Sequence, residues 1–281
     1  MHVVSMLDDY RVMCKSAESD GKFEAYKAYT AKYPILFSSV MKYLYQCPLE
    51  ALREYIESSD IKKLLLQGEE NFKIGKFTAV ADSVSKCCTR MGIDFSFDLY
   101  LGMELGNIGG ASLPTDDDSR FVYIGVDRPI DPLWQQIFVP HELHHLLRIH
   151  KTGEKESNTL RSRMVSEGLA SYCPLWYYDM LWNTETVAQS LGVNEKQSGY
   201  MLDHAEELIE DLWNEGDLPL DQTVMSRYFA SRDEDSDVRV PGYFAGMWFV
   251  HELVLSGCDF IELTGMDTAE ILDLIRRQMR I

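Results

Sequence analysis

The sequence predicts an α+β fold that is mainly helical, with a small sheet and an N-terminal helical region. Three observations carry this expectation. Apolar residues recur at three-to-four spacing through most of the chain, which is the period of an amphipathic helix. Two short stretches, at 95–104 and 121–127, instead alternate and are rich in aromatic residues, as half-buried strands are. Over 281 residues, 46% are hydrophobic and 26% charged, values of an ordinary globular protein and far from those of a disordered chain or a coiled coil.

In chain order, the stretch from Phe23 to about Lys86 divides into FEAYKAYTAKYPILFSSVMKYLYQ, PLEALREYI, SDIKKLLLQ and FTAVADSVSKCC. These read as several short helices, with Pro34 and Pro48 at starts or breaks and Gly68 and Gly75 between later segments. Their Tyr and Leu residues at helical spacing read as core. The period changes near residue 93: FSFDLYLGME and FVYIGVD read as strands, joined by the turn-rich NIGGASLPTDDDSR. After Asp131 the chain turns helical again through DHAEELIEDLW, GYFAGMWFVHELVLSG and TAEILDLIRRQMRI. Asp267 and Glu270 mark the start of the last of these. No internal repeat or long linker interrupts the chain, and the expected division is 1–90, a helical support or cover region, and 91–281.

Composition excludes several classes of function. Lys and Arg total 27 against 45 Asp and Glu, a net charge of −18, and no basic cluster is long enough to form a phosphate-binding face, so nucleic acid is not an expected partner. Asp116, Asp117, Asp118 and the run from Asp233 to Asp237 read as solvated loops. The six cysteines, at 14, 47, 87, 88, 173 and 258, include no CxxC pair and are too few for a disulfide framework. The start MHVVSMLDDYRVM has no basic n-region, and no run of 18 uncharged apolar residues occurs, so no membrane association and a cytoplasmic location are expected.

The chemistry concentrates in VPHELHHLLRIH. His141 and His145 lie four positions apart, about 40° apart around a helix axis and one turn along it, so two imidazole nitrogens can converge on one ion. Glu142 points to the side of that pair, where its carboxylate can take a proton from an attacking water. Downstream, NTLRSRMVSEGLASYC reads as a second helix capped by Asn158. It carries Glu167, 22 residues after His145, as the candidate third ligand. Two histidines and a carboxylate leave a fourth position open, the arrangement of catalytic rather than structural zinc. Gly168 and Ala170 are small enough for two helices to approach closely around an ion. His144, about 100° around the helix from His145, reads as a packing or supporting residue, and His150 as a polar residue at a helix end. Pro140 implies either a fresh helix start or a kink.

HELHH at 141–145 followed by SEGLASY at 166–172 resembles the gluzincin-type zincin metallopeptidases. With GGASLP and GYFAGMWFV added, the chain resembles the predicted zinc-protease family related to the bacterial YjaZ protein, over roughly residues 93–260. The resemblance implies a zincin-like metallopeptidase domain over 91–281 in which His141, His145 and Glu167 hold Zn²⁺ and Glu142 polarises water. It also implies a peptide or protein substrate, a supporting role for Ser171, and a strand within 121–127 or near GGASLP whose edge pairs with an extended peptide. Tyr243 and His251 are the candidate donors to the oxyanion of peptide hydrolysis, and Tyr243 fits the family's glycine-flanked segment better. Three other readings stay open: hydrolysis of a non-peptide amide or ester, a catalytically inactive zinc-stabilised interaction protein, and a helical protein without metal. Oligomeric state is not legible.

Overall fold

The computed structural model describes residues 1–153, 158–230 and 235–279. Its described residues form four strands, β1 (His2–Ser5), β2 (Asp98–Gly102), β3 (Gly110–Ala111) and β4 (Phe121–Gly125), and fifteen α-helices. Six helices precede β2: α1 (Leu7–Asp20), α2 (Lys22–Thr30), α3 (Pro34–Ser39), α4 (Arg53–Ser58), α5 (Ile61–Lys73) and α6 (Lys76–Met91). After β4 come α7 (Pro132–Thr152), α8 (Leu160–Tyr178), α9 (Thr184–Leu191), α10 (Glu195–Asp203), α11 (Ala205–Asn214), α12 (Gln222–Tyr228), α13 (Pro241–Leu255), α14 (Phe260–Gly265) and α15 (Thr268–Met279). The mainly helical α+β expectation holds. No described helix is long and apolar enough to cross a membrane. The chain divides into two compact units, Met1–Leu146 and Leu147–Ile281, with the division falling inside α7.

In the first unit the sheet order is β1-β2-β4-β3, with β1, β2 and β4 parallel and β3 antiparallel to β4. Parallel neighbours need a crossover, and α1–α6 supply it between β1 and β2. All five residues of β4 are buried, as expected of a central strand. An aromatic seam joins the crossover to the sheet: Tyr10 meets Tyr29 edge-on at 5.5 Å, Tyr29 meets Tyr33 at 5.7 Å, and Tyr33 meets Tyr100 of β2 at 6.0 Å. Tyr29 donates to Met103 O at 2.6 Å, so this buried hydroxyl is satisfied. Tyr26, Tyr29 and Tyr33 are thus core as read, whereas Tyr43 and Tyr45 are half-buried and Tyr55, Leu44 and Leu66 are exposed.

Three local expectations are corrected. β1 falls in the 1–90 region expected to be helical: it is mostly exposed, so it shows no alternation of buried and exposed residues. Strand β3 lies inside the stretch whose composition reads as a turn, because two residues with a glycine carry almost no strand signal, although the resemblance does imply a strand near GGASLP. Gly68 does not separate two segments. It lies within α5, where a Cβ would stand 2.7 Å from Met103 Sδ, so packing rather than a turn accounts for it. Gly75, at φ 78°, does sit between α5 and α6.

The loop before β3 is tied down by buried carboxylates. Asp127 Oδ2 accepts from the N–H groups of Glu104 (2.8 Å) and Gly106 (3.1 Å), and Glu104 Oε1 accepts from Tyr45 OH at 2.6 Å. Burial pushes both carboxyl pKa values up. Asp116, Asp117 and Asp118 are exposed, as read from the sequence. Of the second acidic run, Asp233 and Glu234 lie outside the described residues.

The second unit is organised around the pairing of α8 with α13. A Cβ at Gly168 would stand 2.1 Å from Gly246 C, and one at Gly246 would stand 1.9 Å from Met164 O, so the two backbones cross in contact. The smallness of Gly168 thus serves the crossing with α13. Helix α8 starts one residue later than expected: Thr159 caps it in a capping box with Ser162. Asn158 is instead engaged through its carbonyl by Leu220 N at 3.0 Å. Helix α15 begins where read, with Asp267 N donating to Glu270 Oε2 at 3.3 Å. Because backbone atoms cannot yield as a side chain can, Gly246→Ala should cost about 3 kcal/mol of stability. The expected result is a melting temperature lower by roughly 5 °C or more, read by circular dichroism. An unchanged midpoint would contradict the crossing.

Candidate metal centre

Helix α7 starts on Asp131, whose Oδ1 accepts from Trp134 N at 2.7 Å. It runs through Pro140 without a break, although the proline leaves the carbonyl of Gln136 without its i+4 donor. A fresh helix start at Pro140 is therefore not observed: the helix that contains it begins at Pro132. His141 and His145 therefore stand one turn apart on one helix. Their Nε2 atoms are 3.2 Å apart, with ring planes at 76°.

Among the described residues, His141, His145 and Glu167 are the one group of His, Cys, Asp or Glu side chains able to hold a metal ion. Each offers one ligand atom, and these atoms all lie within 4.8 Å of one another. The donor set fits zinc. With Zn–N distances near 2.05 Å, a tetrahedral site places two ligand nitrogens about 3.3 Å apart, and the imidazole pair is already at 3.2 Å. Glu167, on α8, has a side chain only 3% exposed, and Arg163 one turn earlier places Nη2 at 2.8 Å from its Oε1. The sequence reading missed this arginine. The i,i+4 spacing of Arg163 and Glu167 was the available signal.

Glu142 is buried at 5% exposure. A Cβ at Gly110 would stand 2.6 Å from its Cγ and 2.7 Å from its Oε1, so the carboxylate lies against edge strand β3 where that strand has no side chain. His144 is fully buried, consistent with a packing or supporting role, and His150 is exposed in the last turns of α7. Ser171 is 1% exposed, and its Oγ makes no hydrogen bond to a described residue.

Tyr243 and His251 both lie on α13 and are not part of the three-residue group. Tyr243 is half-buried, edge-on to Phe229 at 5.4 Å. The helix that carries it starts from Val240 at φ 44°, a strained value for a β-branched residue. The ring of His251 lies flat on Trp182 at 4.0 Å and 6°, with Tyr172 at 6.0 Å. Burial lowers its pKa, which favours the neutral ring.

No curated protein and no solved structure matches the chain. A family model described as "Predicted Zn-dependent protease (DUF2268)" matches residues 121–273, which is more than half of the chain and includes His141, Glu142, His145 and Glu167. Zn²⁺ is the metal that this description names, and it is the metal that two imidazoles and a carboxylate suit. On this match the chain belongs to the family of predicted Zn-dependent proteases.

Proposed function

We propose that the protein is a zinc-dependent peptidase with a zincin-like domain of gluzincin type, in which His141, His145 and Glu167 hold Zn²⁺ and Glu142 is the general base. The observation that carries this reading is the convergence of those three donor atoms within 4.8 Å, next in sequence to a glutamate buried against a sheet edge. When bound, Zn²⁺ supplies a Lewis acid that polarises a carbonyl and lowers the pKa of water.

The chain's own residues do the rest. The Glu142 carboxylate accepts a proton from the attacking water and passes it to the leaving amine nitrogen. Arg163 holds one oxygen of Glu167 and so fixes the carboxylate's orientation. Strand β3 is one of the two edge strands of the sheet, and it is the one we assign to pairing with the backbone of an extended substrate. Of the two sequence options for this strand, GGASLP is the one that supplies an edge, because β4 is paired on both sides. Tyr243 OH is the donor we assign to the developing oxyanion, with His251 as the second candidate. We assign residues 91–281 to the catalytic domain and 1–90 to a region that supports or covers it, and we place the activity in the cytoplasm.

A base that is not a ligand can be removed without losing the metal. Glu142→Gln should retain stoichiometric zinc by elemental analysis while peptide hydrolysis falls by at least about 100-fold, the lower end for general-base catalysis. Turnover at the parent rate in zinc-replete protein would contradict the assignment. The two oxyanion candidates separate by kcat: Tyr243→Phe should lower it about 100-fold with little change in KM, as removal of one oxyanion donor does. His251→Gln should leave kcat within a few-fold of the parent. The reverse pattern would move the role to His251. Parallel assays on small esters and amides decide whether the bond attacked is a peptide bond.

A further inference from the structure

Two consecutive glycines, Gly109 and Gly110, lead into edge strand β3, and they face different neighbours. At Gly110 the neighbour is Glu142. At Gly109 a Cβ would stand 3.0 Å from Arg128 Nη1 and 3.1 Å from Phe138 Cε1. Trp134, Phe138 and Glu142 recur every four residues along α7 and so share one face of it. The rings of Trp134 and Phe138 stack at 4.8 Å and 17°, and both residues are half-buried. Beside the strand, next to the residue that Glu142 touches, there is therefore an aromatic platform with a guanidinium at the same place.

Arg128 has donors to spare. Its Nη2 donates to Gly106 O at 2.6 Å, its Nε is buried without a hydrogen-bond partner, and it forms no salt bridge with any described carboxylate. Its chain neighbour Asp127 feels the Arg128 charge without forming a salt bridge to it, and directs Oδ2 to the N–H groups of Glu104 and Gly106. A guanidinium presents five N–H donors in a planar fork suited to a carboxylate. In a chain of net charge −18 a carboxylate-bearing peptide meets general repulsion, so an arginine that forms no salt bridge is the feature that would admit one. The stacked rings offer the apolar surface on which the adjoining part of the peptide can lie.

We propose that Arg128, with the Trp134–Phe138 stack, forms a subsite for a carboxylate of the peptide substrate, within a residue or two of the bond that Glu142 serves. The carboxylate is either the side chain of an Asp or Glu or the C-terminal carboxylate of the peptide. The proposal rests on the reading of Glu142 as the base, so its test separates binding from turnover.

The full chain carrying Glu142→Gln, loaded with zinc and immobilised, is exposed to two random heptapeptide pools, one with free and one with amidated C-termini. The bound peptides are read by mass spectrometry. The expected result is about tenfold enrichment, the lower end for a charge-assisted hydrogen bond. Enrichment of Asp or Glu at one fixed position in both pools identifies a side-chain carboxylate, and enrichment of the free pool over the amidated one identifies the C-terminus. Adding Arg128→Gln should abolish the enrichment, and Arg128→Lys, which keeps the charge but not the fork, should retain part of it. No carboxylate enrichment, or one that survives Arg128→Gln, overturns the subsite. Arg128-dependent enrichment in a protein whose parent form cleaves no peptide supports the subsite and overturns the peptidase reading. Cleavage without enrichment overturns the subsite alone.

Discussion

Because a Cβ at position 110 would come within 2.6 Å of Glu142 Cγ, helix α7 can run beside strand β3 only where the strand carries no side chain. Gly109 and Gly110 meet that requirement, and the consequences extend along α7. The helix presents Phe138 and Glu142 to two adjacent residues, Gly109 and Gly110, and His141 and His145 flank that glutamate in the sequence of the same helix. A helix fixes the separation of residues four apart through its backbone hydrogen bonds. Once α7 lies against the edge, the imidazole pair stands in a fixed position relative to the glutamate between them.

The polar groups around this contact follow the rule that buried charge needs partners. Asp127 and Glu104 lie behind the strand, and their carboxylates gather N–H and O–H donors from the loop at 104–107 and from Tyr45. That loop leads directly into β3, so the crossover helices act on the edge through Tyr29, Tyr45 and Tyr55, all of which hydrogen-bond within residues 103–107. In the second unit Glu167 is paired with Arg163, and its helix is locked to α13 by a glycine contact that no side chain could replace. Local rigidity in each unit therefore comes from close backbone approach as much as from apolar burial.

Much of this was legible in the sequence where the signal is local. The spacing of His141, Glu142 and His145 is a property of one helix, and Glu167 stood out because a catalytic zinc site needs a third ligand. Strands β2 and β4 were visible from their aromatic, apolar composition. What was hidden depends on partners far along the chain. Strand β1 is exposed and pairs with β2 some 90 residues later, while β3 is two residues long and glycine-containing. Gly68 looked like a break because the sequence does not show Met103 packed on it. Asn158 looked like the cap because Thr159 beside it is of the same class, and only the pairing with Leu220 decides between them. Arg128 belongs to no motif, and the every-four spacing of Trp134, Phe138 and Glu142 does not show that Phe138 and Glu142 meet Gly109 and Gly110 at an edge strand.

The central claim is that two imidazoles and one carboxylate of this chain hold zinc, and X-ray absorption at the zinc edge of the purified, untagged full chain tests it most directly. The account predicts one zinc per chain with two imidazole nitrogens and a carboxylate oxygen at about 2.0–2.2 Å and no sulfur neighbour. One imidazole should be lost from the spectrum of His145→Ala. A sulfur shell near 2.3 Å, or protein that retains no zinc after equilibration with excess metal, would contradict it.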